Sequence, residues 1–150
     1  MNDSELNQEN LEKHVRSNPG IYFPESEPSG IGIADILERT AKFLGATETK
    51  LVEVDGDFFF CGNIDWFIIE NSWGLTEENL FKRFWPFPEA GVNSARIDAI
   101  ASIYSNVLAA ATPSSVRVYK GCLSTEQEAR LVDLSAKWKR VVFFDFNENS

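Results

Sequence analysis

Residues 50–70 read KLVEVDGDFFFCGNIDWFIIE, and the fold turns on how they pair. Two short apolar runs flank Asp55-Gly56, a dipeptide suited to the two-residue hairpin turn because both of its central positions need positive φ. Gly62-Asn63 reads as a second turn of the same length. Together they predict a three-stranded antiparallel meander over 50–70, with turns at 55–56 and 62–63. Side chains alternate across a strand, so the two turns also fix the faces. One face carries Val52, Val54, Phe59, Cys61, Ile64, Trp66 and Ile68 and is read as core. The other carries Leu51, Glu53, Phe58, Phe60, Asp65, Phe67 and Ile69, with Glu53 opposite Phe58 and Asp65 opposite Phe60.

Upstream, residues 4–17 have a thin apolar edge (Leu6, Leu11, Val15) and are read as a polar helix. NPGIYFPESEPSG, 18–30, holds three prolines and is read as a loop pinned by Ile21, Tyr22 and Phe23. Ile33, Ile36, Leu37, Phe43 and Leu44 recur at helical spacing before Gly45, which predicts a helix over 31–44. Downstream, Thr76 is placed as the N-cap of a helix ending at WPFP, with Glu77 and Glu78 in its first turn and Lys82 and Arg83 in its last. Ile97, Ile100, Tyr104, Val107, Leu108 and Ala111 suggest a longer helix over 94–111. SSVRVYKG is read as a strand, Ser124 and Gln127 as a capping box, and VVFFDF as a closing strand before a polar tail at 147–150. The expectation is a single α+β domain over 1–150, with a polar helix and loop at 1–30. Its mixed five-stranded sheet combines the meander with a β-α-β unit.

The charge is uneven: residues 1–78 hold 16 acids and 5 bases, residues 79–150 hold 7 acids and 9 bases, and the net charge is −9. An acidic surface repels nucleic acid and anionic membranes and favours a basic protein partner. No apolar run has the length of a membrane span, and Met1 to Leu11 lacks a signal-peptide pattern, so a cytoplasmic location is expected. Cys61 and Cys122 are too few for a disulfide framework or a four-ligand zinc site. No cofactor or metal is expected.

Asn-Ser-Trp-Gly at 71–74, following an apolar run, resembles the asparagine segment of papain-type cysteine proteases. Only Asn71, as the residue that orients a catalytic histidine, carries over. The Cys-Gly-Ser-Cys-Trp nucleophile segment of that family has no counterpart, and the one histidine, His14, lies far upstream. The four letters are therefore read as a turn after a strand. Two readings of the mixed face remain. Either a helix covers its phenylalanines and leaves the acids at the rim, or part of it is open as an acid-rimmed aromatic docking site. The second names Glu53, Phe58, Phe60, Asp65 and Phe67, extended by Trp73, Glu77, Glu78 and Trp85. It leads to an expected function: a small acidic protein that blocks or escorts a basic protein partner, as a bacterial immunity protein does with a toxin. The alternatives are a hydrolase using dispersed carboxylates or Cys61, and a structural or regulatory subunit of a larger assembly.

Overall fold

The computed structural model describes residues 3–67, 74–87, 90–91 and 94–149, and for 3–8 the backbone alone. Asp55 and Gly56 take φ of 50° and 86°. Their turn joins β1 (Thr49–Val54) to β2 (Asp57–Gly62), antiparallel, with Glu53 opposite Phe58 and Leu51 opposite Phe60. The predicted hairpin and its register are both present.

The third strand of the meander is not formed over the described residues 64–67; residues 68–70 lie outside them. Asn63 does not turn the chain back. Its backbone N–H donates to Glu48, and its side chain holds both the backbone N–H (3.1 Å) and the hydroxyl (2.7 Å) of Thr47. Trp66 folds over Gly62, where a β-carbon would overlap the indole. The free edge of β2 is taken instead by β7 (Arg140–Phe146), which is apolar on both faces from Val141 to Phe144 and matches the DFFFC run residue for residue.

With β5 spanning Ser105–Thr112 and β6 spanning Ser115–Lys120, the sheet order is β1-β2-β7-β5-β6, and every neighbouring pair is antiparallel. β6 (Ser115–Lys120) leads through α5 (Thr125–Ser135) to β7. β6 and β7 both run antiparallel to β5, which lies between them, so the expected β-α-β crossover is present with one strand interposed, and the sheet is antiparallel throughout and not the expected mixed one. Ser124 and Gln127 form the expected capping box at the start of α5.

Residues 94–111 are not one helix. A short ladder pairs β3 (Trp85–Pro86) with β4 (Ala95–Arg96), α4 spans only Ala99–Ile103, and β5 runs Ser105–Thr112. Helix propensity in LAAAT is overridden by packing. Ala109 and Ala111 are fully buried with α5's Leu131, beside Phe143 and Val141, and only small side chains fit between that helix and those neighbours. The strand starts at a bulge where the Asp145 carboxylate accepts from the backbone N–H groups of Asn106 and Val107 (2.9 and 2.7 Å).

Residues 77–82 likewise form successive turns and not the expected helix. Thr76 and Asn79 exchange the hydrogen bonds of a cap, but the Asn79 carbonyl then accepts from Lys82 N–H and from the Trp85 indole, which ends the run.

Both faces are covered over β2, β7 and β5, while β6 keeps Val116 and Val118 exposed. On one side α5 covers Phe59, Cys61, Val141 and Phe143. On the other, α1 (Asp3–Ser17), α3 (Gly30–Phe43) and α4 contribute Val15, Ile33, Leu37 and Ile100 to a larger core over Phe58, Phe60, Val142 and Phe144. Between α1 and α3, α2 (Pro19–Tyr22) is one turn long; Phe23 is buried against Tyr104, whereas Ile21 is exposed. The close approach of α3 depends on Gly30, whose missing side chain admits the Phe58 ring, itself stacked on Phe144 at 5.2 Å. Gly30→Ala is therefore expected to destabilise the protein by about 1–3 kcal/mol through overpacking. Urea unfolding measures it, and an unchanged midpoint would show that α3 does not sit this close.

Candidate functional site

The acids named from the sequence divide into two groups according to whether an arginine claims them. Arg140 is almost fully buried at the start of β7, under residues 65–67 and the 77–82 turns. A guanidinium there must be paired on all sides, because losing its water is costly. Its Nε and Nη2 donate to the two oxygens of Asp65, both at 2.9 Å, and its Nη1 donates to Glu77 at 3.2 Å. The Phe67 ring lies against it at 3.9 Å. Tyr119 of β6 donates its hydroxyl to the same Glu77 oxygen at 2.8 Å, and burial together with that bond raises the phenol pKa. Glu78 meets Arg117 of β6 at 3.0 Å in the open. Asp65 and Glu77 thus pin the segment after β2 and the 77–82 turns to the sheet.

The aromatic members of the proposed docking face are core. Phe58 is 7% exposed, Phe60 1% and Phe67 0%, the last two edge-on to the Trp66 ring. Helix α3 covers Phe58, so the mixed face is a closed face with acids at its margin. Trp85 is buried, its indole N–H on Asn79 and Arg83 stacked over its ring at 4.6 Å. Trp73 lies outside the described residues.

Glu53 alone among the acids of that face is exposed and without an ion-pair partner among the described residues. It stands on β1, an edge strand, on the same side of the sheet as Phe58 and therefore beside α3. On α3, Ile31, Asp35 and Glu38 follow one another at i, i+4 and i+7 on a single stripe. Glu38 accepts from Thr49 of β1 at 2.9 Å, which sets that stripe above the strand edge. Ile31 is 49% exposed and Asp35 is exposed. Glu48 before β1 and Asp55 in its turn are exposed too. The result is an acidic rim around one open isoleucine. The sequence reading names Glu53 but not Ile31 or Asp35, whose i, i+4 spacing on the polar side of a predicted helix was the available signal.

Cys61 is not an activated thiol. It is fully buried beneath α5, and burial pushes its pKa up to about 12. His14 is on α1, across the sheet from Cys61, with its ring edge-on to Tyr22 and its Nδ1 3.4 Å from the Asn18 amide. Asn71 lies outside the described residues. No group of metal-ligating side chains converges among the described residues, and no described helix is long and apolar enough to cross a membrane. Compared with protein-family models, curated proteins and solved structures, the chain has no significant match.

Replacing Arg140 by Met leaves two carboxylates facing an apolar wall. The expected loss is about 2–4 kcal/mol, below the full cost of breaking a wholly buried pair because both acids keep some contact with water. Adding Asp65→Asn and Glu77→Gln should recover part of that loss in urea unfolding. A single variant as stable as the parent would show that the network does not hold these segments.

Proposed function

We propose that the protein binds a basic protein partner along the rim formed by β1 and α3, and so blocks or escorts it. The observation that carries the reading is the concentration, on this edge near Ile31, of exposed carboxylates with no ion-pair partner among the described residues: Asp35 and Glu53, with Glu48 and Asp55 farther along. Such an arrangement has the two parts that association uses. Unpaired carboxylates steer a cationic partner over a range set by screening, and an open aliphatic side chain supplies an anchor that holds the complex. The N–H and C=O groups on the outer side of β1, which pair with no other described strand, add a strand-pairing edge. A toxin-immunity pair is one form this function takes, since an acidic guard suits a cationic target. Regulation within a larger assembly would use the same surface.

The test compares the parent with a variant carrying Glu48→Lys, Glu53→Lys and Asp55→Asn, the last kept as asparagine because residue 55 has φ of +50°. Partners captured from native lysate by the parent should be lost by the variant. With an isolated partner, the on-rate should fall steeply as salt rises, while Ile31→Ala should act on the off-rate. Equal capture by parent and variant, or an on-rate indifferent to salt, would overturn the reading.

A further inference from the structure

At the opposite end of the sheet the charge balance reverses. Helix α1, the 77–82 turns, α4 and β6 enclose a cleft of about 310 Å³, within the range of small-molecule sites. Leu11, Phe81 and Ile103 give it an apolar wall, and four charged side chains line the rest: Glu12, Glu78, Lys82 and Lys120. These four are not equivalent. Glu12 is paired with Arg16 and Glu78 with Arg117, each at 3.0 Å. Neither lysine has an ion-pair partner among the described residues. Lys82 is exposed, and Lys120 is half-buried with its Nζ on the Ser102 carbonyl at 2.8 Å. Each carboxylate of the cleft already has a guanidinium partner, whereas its ammonium groups have no ion-pair partner among the described residues, in a chain whose net charge is −9.

From this imbalance we infer that the cleft is a binding site for a small organic anion, with a compact oxyanion head between Lys120 and Lys82 and an apolar body against Leu11, Phe81 and Ile103. Lys120 is already partly stripped of water. Its burial lowers its pKa, with Glu12 and Asp145 acting in the other direction and Arg16 in the same one as burial. An oxyanion at this point replaces lost hydration with a charge-assisted hydrogen bond, while the apolar wall excludes water from the contact. Carboxylate and phosphate heads share this chemistry, and the head preferred is left to the assay. The site is separate from the acidic rim: β1 and β6 are the two outer strands of the sheet.

The experiment titrates the full chain with phenyl phosphate, benzoate and inorganic phosphate, followed by amide NMR shifts and calorimetry. At least one aromatic anion should give saturable shifts near Phe81, Tyr119 and Lys120, and should bind about tenfold or more tightly than inorganic phosphate because of the apolar contacts. Lys120→Gln and Lys82→Gln should each weaken it severalfold. Lys82 is exposed, so its variant decides the matter should Lys120→Gln disturb packing. The inference is overturned if neither aromatic anion saturates at about 10 mM, if inorganic phosphate binds as tightly, or if both lysine variants bind like the parent.

Discussion

The fold depends on two adjacent strands that are apolar on both faces. Phe58 to Cys61 in β2 and Val141 to Phe144 in β7 pair residue for residue. Their rings meet in register, Phe58 stacked on Phe144 at 5.2 Å and Phe59 tilted against Phe143 at 4.9 Å. Each such contact adds about 0.5–1.5 kcal/mol beyond the area it buries. A ribbon of this kind cannot lie at a surface, so both faces need a cover. Helix α5 supplies one, and the α1, α3 and α4 layer the other. Strand β5, with its run of alanines, lets α5 come close. What remains open is the margin of the sheet: β1 on one side and β6 on the other.

That geometry sorts the charges. Acids brought near the closed core are neutralised by buried arginines, Asp65 and Glu77 by Arg140 and Asp98 by Arg96 at 2.9 Å. These pairs are structural, because a desolvated guanidinium without a partner costs several kcal/mol, on the order of what holds a domain together. Asp35, Glu48, Glu53 and Asp55 at the β1 margin face water and have no ion-pair partner among the described residues, so their field reaches outward. At the β6 margin two arginines pair with the local carboxylates, and Lys82 and Lys120 have no ion-pair partner among the described residues. The acidic rim and the cationic cleft are thus two consequences of one layout. The excess of acids in residues 1–78 and of bases in residues 79–150 becomes a polarity across the sheet.

Elements with a local cause were legible in the sequence. The Asp55-Gly56 hairpin, the helix over 30–43, the Ser124 capping box and the closing strand each carry their signal within a few residues, and the α+β class follows from them. Elements set by distant partners were not. Gly62-Asn63 has the letters of a turn, but β7, 78 residues beyond in register, competes for the same edge and offers a better apolar match. Residues 105–112 have a helical period and an alanine run, yet the sheet needs a narrow central strand there. The mixed face, with Asp65 and Phe67 placed on a third strand that β7 replaces, was read as a conflict between acids and aromatics. Its resolution lay in Arg140, a charged residue at the head of an apolar strand, and in Gly30, which lets a helix lie on Phe58. Neither residue announces a long-range partner.

Native-state hydrogen exchange tests the central claim most directly. If the β2–β7 ribbon is the closed centre on which both covers depend, amides of Phe58 to Cys61 and Val141 to Phe144 should exchange only through global unfolding, with one shared free energy. Amides on the outer sides of β1 and β6 should exchange far more easily. Protection of residues 58–61 well below the global value would contradict the account. It would mean that the phenylalanine face opens on its own, and that the exposed rim is not the only surface these residues offer.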